Sequence, residues 1–271
     1  DALRDSTVLV LERPEAGRRA TRMLGYLFNG TSDGKVSFDL VLEALRIVID
    51  KQDPETGLWG DPAAGRFQRI NGAYKVFVLL RRTLDLPVPH ADKIIDQVLA
   101  EMDRPDYEAG VAGCDEVDNW AVLGLALPVA GGHREAEVRD RATRRIRHII
   151  ERYRKPDGGL SYFPGVCQTM NIGFDMAPET TQGDAMGAHI LVTALSVCLG
   201  LADLGDRTSW QAGAESAGSL PNDWQLDEKE TRKCRRRVLE AFGPPHSHWK
   251  IPLEQRNTSK VDRRAGALNF K

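Results

Sequence analysis

Lys51-Gln52-Asp53-Pro54-Glu55-Thr56-Gly57-Leu58-Trp59-Gly60 reads as a turn that carries its own anchor. Asp-Pro and Thr-Gly punctuate the backbone, and Trp59 is large enough to pack under the loop and tie it to helices. A related stretch returns at Arg154-Lys155-Pro156-Asp157-Gly158-Gly159-Leu160-Ser161-Tyr162-Phe163. Each follows an amphipathic segment and precedes a polar stretch and a second, more uniformly apolar segment. A repeat of this kind sets the fold before local propensity does, because one unit cannot bury its apolar face without a neighbour.

Working outward, the repeat predicts paired outer and inner helices. The first pair is Ser37 to Lys51 and Ile70 to Leu84, the second Ala91 to Met102 and Asp118 to Ala130, the third Arg134 to Arg154 and Gln182 to Leu204. Ser37 is an N-cap residue, and Leu40, Val41, Ala44, Leu45, Val48 and Ile49 follow helical spacing. The arginines at 139, 141, 144, 145, 147 and 152 are interleaved with Glu135, Glu137, Asp140 and Glu151, the pattern of a solvated outer face. Ala185 to Leu201 is rich in small and aliphatic residues, as an enclosed inner helix should be. The expected division is 1–36, an N-terminal helix (Ala16 to Phe28) and connector; 37–205, the helical-hairpin domain; and 206–271. This last part comprises a loop over Ser209 to Asn222, a charged helix over Asp227 to Phe242, and an extended tail after Pro244-Pro245. Such a tail wraps the domain or binds a neighbouring subunit, so a homo-oligomer is the assembly it suggests.

Composition narrows the functional classes. With 271 residues and an apolar fraction of 41%, the chain can build a sizeable core. A net charge of -2, from 37 basic and 39 acidic side chains, gives no global field to attract nucleic acid or an anionic membrane. No apolar run reaches the roughly 20 residues a membrane span needs, and no signal-peptide pattern opens the chain, so a cytoplasmic compartment is expected. Cys114, Cys167, Cys198 and Cys234 form no C-x-x-C pair; free thiols, with neither metal nor cofactor, are the expectation.

Chemistry concentrates before the inner apolar runs. Gly113-Cys114-Asp115-Glu116-Val117-Asp118-Asn119-Trp120 leads into Ala121 to Val129, Arg69-Ile70-Asn71-Gly72-Ala73-Tyr74 into Val76 to Leu80, and Glu179 to His189 into Ile190 to Leu201. If the hairpins close on one another, these polar mouths face one cavity. Each residue also has a plainer role: Asp115 or Asp118 as helix caps, Thr181-Gln182-Gly183-Asp184 as a capping box, Tyr74, Trp120 and His189 as core. Arg69 is harder to explain as a cap, because helix starts favour acids.

The pairing of amphipathic helix, Gly-aromatic turn and inner helix resembles the alpha/alpha-toroid proteins, especially the prenyltransferase and squalene-cyclase repeat with its Q-x-x-x-G-x-W turn. The resemblance spans roughly residues 37 to 204 and implies an all-α, alpha/alpha-toroid-like fold, as a closed ring or an incomplete, open one. Its known activities diverge. Class II terpenoid cyclases carry D-x-D-D where this chain has Asp115-Glu116-Val117-Asp118, and an aromatic content of 7% is thin for a carbocation pocket. Cys114, Asp118 and His189 imitate the zinc ligands of protein prenyltransferases without the D-x-C spacing. Toroidal glycoside hydrolases use carboxylates, which Asp115, Glu116, Asp118, Glu179 and Asp184 supply; toroidal uronate lyases use Asn, His, Tyr and Arg, which Asn71, His189, Tyr74 and Arg69 supply.

The expectation is therefore an enzyme acting on a small or oligomeric carbohydrate, acidic by preference, through hydrolysis or elimination. Asp118, Asp115, His189 and Tyr74 would be catalytic, and Arg69, Asn71, Glu116, Trp120, Glu179, Gln182 and Asp184 would bind substrate. The alternatives are a terpenoid cyclase or prenyl-group enzyme, and a non-catalytic helical-repeat binding module.

Overall fold

The computed structural model describes residues 37–83, 88–171, 174–176 and 182–205, together with 232, 233, 236, 237 and 240 of a C-terminal helix. The described chain is helical: α1 (Phe38–Asp50), α2 (Arg66–Phe77, widening into a π-helical stretch Val78–Thr83), α3 (Ala91–Met102), the short α4 (Pro105–Ala109), α5 (Gly113–Ala126), α6 (Glu135–Tyr153) and α7 (Ala185–Leu201). Among the described residues, named strands are limited to the antiparallel pair Met170–Asn171 and Phe174–Asp175. No described helix is long and apolar enough to cross a membrane. The helix expected over Ala16 to Phe28, the loop after Ser209, the tail after His246 and the site candidate Glu179 lie outside the described residues. The charged helix within Asp227 to Phe242 is helical where described, and it meets α1: the Arg237 guanidinium sits 3.9 Å from the Phe38 ring centre and 3.8 Å from the Asp39 carboxylate.

Ser37 caps α1, its hydroxyl accepting the Asp39 amide at 3.2 Å. Val41, Ala44, Leu45, Val48 and Ile49 are buried on one stripe, whereas Leu40 falls at its edge and is 39% exposed. The turn that follows is braced from three sides. Trp59 is buried, and its indole nitrogen donates at 2.6 Å to the Val48 carbonyl, one of the last-turn acceptors a helix leaves unpaired. Gln52 donates to the carbonyls of Gly57 at 2.8 Å and Pro89 at 2.7 Å, joining the turn to the segment that opens α3. Gly57 has φ +69°, and a Cβ there would meet the His90 carbonyl and an Ile94 side-chain carbon at 2.6 Å, so a side chain is excluded on both counts. Trp59→Phe keeps the ring and removes the donor. It should cost about 1–3 kcal/mol, the penalty of a buried acceptor left unpaired, measured by urea unfolding; an unchanged midpoint would mean the indole bond contributes nothing.

The second turn is held by Asp184 instead of a tryptophan. One carboxylate oxygen of Asp184 caps α7 by accepting the Gly187 amide at 2.6 Å; the other accepts the amides of Tyr162 at 2.8 Å and Gln168 at 3.0 Å. A Cβ on Gly187 would stand 2.3 Å from the Tyr162 nitrogen, so the backbone of α7 rests directly on this turn. The cap of α7 is thus Asp184 itself; Thr181, where the capping box was expected to start, lies outside the described residues.

α5 is the central helix, packing on α2, α3 and α7, while α6 packs on α7. The larger core joins α1, α2, α3 and α5; a smaller one joins Val117, Ile149, Tyr153, Leu191, Ala194 and Leu195. The expected boundaries of α5 and α2 are corrected toward the N-terminus: the polar mouths are the first turns of these helices, not segments before them. Acidic residues suit that place, since the unpaired amides at a helix start carry partial positive charge. On α6, Arg139, Arg141 and Arg144 form i,i+4 pairs with Glu135, Glu137 and Asp140, as a solvated face should. Arg145 departs from that reading: it is buried.

Candidate functional site

Asn71 is the sixth residue of α2 and Asp118 the sixth of α5, and the two N-terminal halves meet there. The Asn71 amide donates to one Asp118 oxygen, and Lys75, one turn further along the same face of α2, holds the other at 3.2 Å. Asp118 is 1% exposed, so its carboxylate is reached through these two partners. Burial raises its pKa, against the opposing pull of the Lys75 charge and bond and the Asn71 bond. The Lys75 ammonium also lies 4.1 Å from the centre of the Tyr74 ring, which is buried beneath it.

Asp115 stands one turn before Asp118 on α5 and is half-buried. Its pKa is pushed up to about 6, first by burial and further by the charges of Asp118 and Glu116, with the Cys114 bond and the Arg104 charge opposing. The Cys114 thiol donates to Asp115 at 3.2 Å. Burial pushes that thiol up to about 12, so it stays protonated and serves as a donor, not a nucleophile. Tyr162 closes this side: its carbonyl accepts the Gly113 amide at 2.8 Å, its hydroxyl interacts with Cys114, and its ring packs edge-on against the exposed Phe163 at 4.7 Å. No residue caps α5 through its side chain, so neither Asp115 nor Asp118 serves as its N-cap.

Other predicted residues are engaged elsewhere. Arg69 lies about 200° around α2 from Asn71, by the 100° step of the helix. It clamps the first turn, donating to Asp53 and Thr56 at 3.0 Å and to the Trp59 carbonyl at 3.4 Å. Burial works to raise the Asp53 pKa, but the Thr56 hydroxyl, the Glu55 amide and then the Arg69 bond and charge together hold it below its usual value. Glu116 points the other way from Asp118 and is fully buried, bonded by the Arg145 guanidinium and by the hydroxyls of Tyr107 at 3.2 Å and Tyr153 at 3.0 Å. Trp120 is core, Asp184 is the cap and staple described above, and Gln182 and His189 are exposed. Among the described residues, the bonds that join Asn71, Lys75 and Asp118 do not include His189, and no three His, Cys, Asp or Glu side chains group as metal ligands would.

Set against family profiles, curated proteins and solved structures, the chain matches none. The cluster that geometry does assemble is Asn71, Lys75, Cys114, Asp115, Asp118 and Tyr162. Lys75 and Tyr162 were not singled out by sequence as site residues, and Cys114 only as an imitation of a zinc ligand. Lys75 had a legible signal, standing four residues after Asn71 on the same helical face; Tyr162 had only its place in the second turn. Asn119 has none: it is fully buried, and neither atom of its amide finds a partner among the described residues.

Proposed function

We propose that this chain is an acid–base enzyme that cleaves a glycosidic bond in an acidic carbohydrate, with Asp115 as the proton donor. The observation that carries the reading is a carboxyl group raised to about 6 one helical turn before Asp118, the carboxylate that holds a cationic and an amide donor, Lys75 and Asn71, both only partly buried. A general acid works best with its pKa near the ambient pH, and glycosidic cleavage needs such an acid at the leaving oxygen. Lys75 and Asn71 offer a cation and a donor to a uronate carboxylate. Asp118 is the positioning residue: it fixes both of them and, through its charge, favours the protonated form of Asp115. Tyr162 and the exposed Phe163 supply ring faces on which a sugar can rest.

The mixture of amide, ammonium, carboxyl and thiol groups suits a sugar better than the stacked rings a carbocation needs, which sets the terpenoid-cyclase alternative below this one. The hairpin order, with Gln52 linking one turn to the next unit, is compatible with the alpha/alpha-toroid arrangement, and the active mouth would then open at the N-terminal end of α5. A binding-module reading retains support from one observation: Arg69, Glu116 and Asp184 are all consumed in bracing.

The test is turnover of uronate-containing and neutral oligosaccharides by the full chain. New reducing ends without new ultraviolet absorbance indicate hydrolysis; reducing ends with an absorbing unsaturated product indicate elimination. The rate should fall as pH rises through about 6, where Asp115 loses its proton. Saturable binding of these sugars without turnover would replace the enzyme by the module.

A further inference from the structure

Asp115 is bonded through one of its two oxygens. Its Oδ1 accepts the Cys114 thiol at 3.2 Å, and among the described residues Oδ2 accepts no hydrogen bond. The thiol is itself held: the Tyr162 hydroxyl accepts the Cys114 amide and donates to its sulfur, which leaves the S–H to point at the carboxyl. Tyr162 is fixed in turn through its backbone, its carbonyl accepting the Gly113 amide at 2.8 Å and its amide donating to Asp184 at 2.8 Å. A Cβ on Gly113 would stand 3.3 Å from a Tyr162 ring carbon, so the start of α5 lies against that ring. A chain of bonds thus runs from the cap of α7, through the second turn, to the carboxyl on α5.

Such a chain decides which oxygen carries the acid's proton. In a protonated carboxyl the carbonyl oxygen is the better acceptor, so a thiol donating to Oδ1 places the carboxyl's own proton on Oδ2. The bond also tempers the acid. Burial and the charges of Asp118 and Glu116 raise Asp115, while the thiol bond and the charge of Arg104, at the start of α4, oppose them. Arg104 is shared with Glu101 and Asp106, and Asp118 with Lys75 and Asn71, so the thiol is what touches the Asp115 carboxyl directly among the described residues. A general acid that holds its proton too firmly releases it slowly, and a donor on Oδ1 keeps Asp115 near ambient pH. Taking Asp115 as the proton donor of the proposed reaction, we infer that Cys114 is a second positioning residue: held by Tyr162, it bonds Oδ1 and assigns the transferable proton to Oδ2. Tyr162 acts through Cys114 as well as offering its ring face.

The experiment follows the side-chain carboxyl carbon of Asp115 through a pH titration of the full chain, its resonance assigned by its absence in Asp115→Asn. Cys114→Ala should move the midpoint upward, because the bond favours the ionised form. The acid should weaken about threefold to tenfold, less than a bond to a charged group usually contributes, since S–H is a weak donor. Cys114→Ser restores a donor of similar size and should return the midpoint to the wild-type value or below it. Tyr162→Phe keeps the ring and should shift the midpoint upward by less; added to Cys114→Ala it should change nothing further, as a residue acting through the thiol must. On uronate-containing oligosaccharides, the fall of rate with rising pH should move to higher pH in Cys114→Ala and return in Cys114→Ser. A midpoint that moves as expected with no sugar turned over supports the placement of Cys114 and counts against the proposed activity instead. A midpoint left in place or lowered by Cys114→Ala, or a Cys114→Ser variant that behaves like Cys114→Ala, overturns the inference even where turnover is found.

Discussion

Glu116→Ala is expected to lower the unfolding free energy by about 3–5 kcal/mol, the cost of removing one partner from a buried ion pair. The Arg145 guanidinium would remain 4% exposed with its carboxylate gone, and the Tyr107 and Tyr153 hydroxyls would lose their common acceptor. Burial works against the Arg145 charge, yet Glu116 more than compensates and raises its pKa, so arginine cannot shed its proton to escape. Burial and the Glu116 charge likewise raise the pKa of both tyrosines, which keeps them donors. Urea unfolding measures the loss. Replacing both charges by apolar residues of similar volume, Glu116→Leu with Arg145→Met, should recover most of it, because the penalty belongs to the orphaned charge and not to a strongly stabilising pair. If the single and double variants lose the same amount, the pair is not what joins α5 to α6.

The same pair marks where sequence reading gave out. The helices were legible because apolar spacing at 3.6 residues survives in any context, and α1, α3 and α6 fall within a residue or two of the expected limits. The first turn was legible because Trp59 has few uses other than as an anchor. Arg145 was not, because its interleaving with acids along α6 matches an exposed face in every respect that sequence can express. Its burial depends on Glu116, which lies 29 positions away on another helix. Side-chain direction was the second loss. Arg69 and Asn71 are neighbours in the chain but face nearly opposite ways around α2, so one braces a turn while the other reaches Asp118. The start of α5 is displaced for a third reason: Asp115 and Glu116 read as a polar mouth ahead of the helix, although acids in a first turn are what a helix end favours.

Asp115→Asn separates catalysis from folding at the candidate site. In the native chain Asp115 titrates near 6, against an ordinary carboxyl value of 3.8. Between those values the folded state holds more protons than the unfolded one, so stability falls as pH rises through the interval, and above it the protein carries an ionised, half-buried carboxylate. Asparagine keeps the size and removes that charge. The variant should therefore be at least as stable as wild type at pH 7, and its stability should vary less between pH 4 and 6, while turnover drops by about 10²–10⁴, the usual contribution of a general acid. If Asp115 merely favoured the helix start, the same substitution would cost about 0.3–1 kcal/mol and leave activity intact. Asp118→Asn supplies the complementary arm. Its negative charge is one of the causes that raise Asp115, so removing it should lower Asp115's pKa and move the fall of rate with rising pH to lower pH. A rate profile unmoved by Asp118→Asn, together with an Asp115→Asn variant that loses stability and keeps its activity, would reduce both carboxylates to supports of α5.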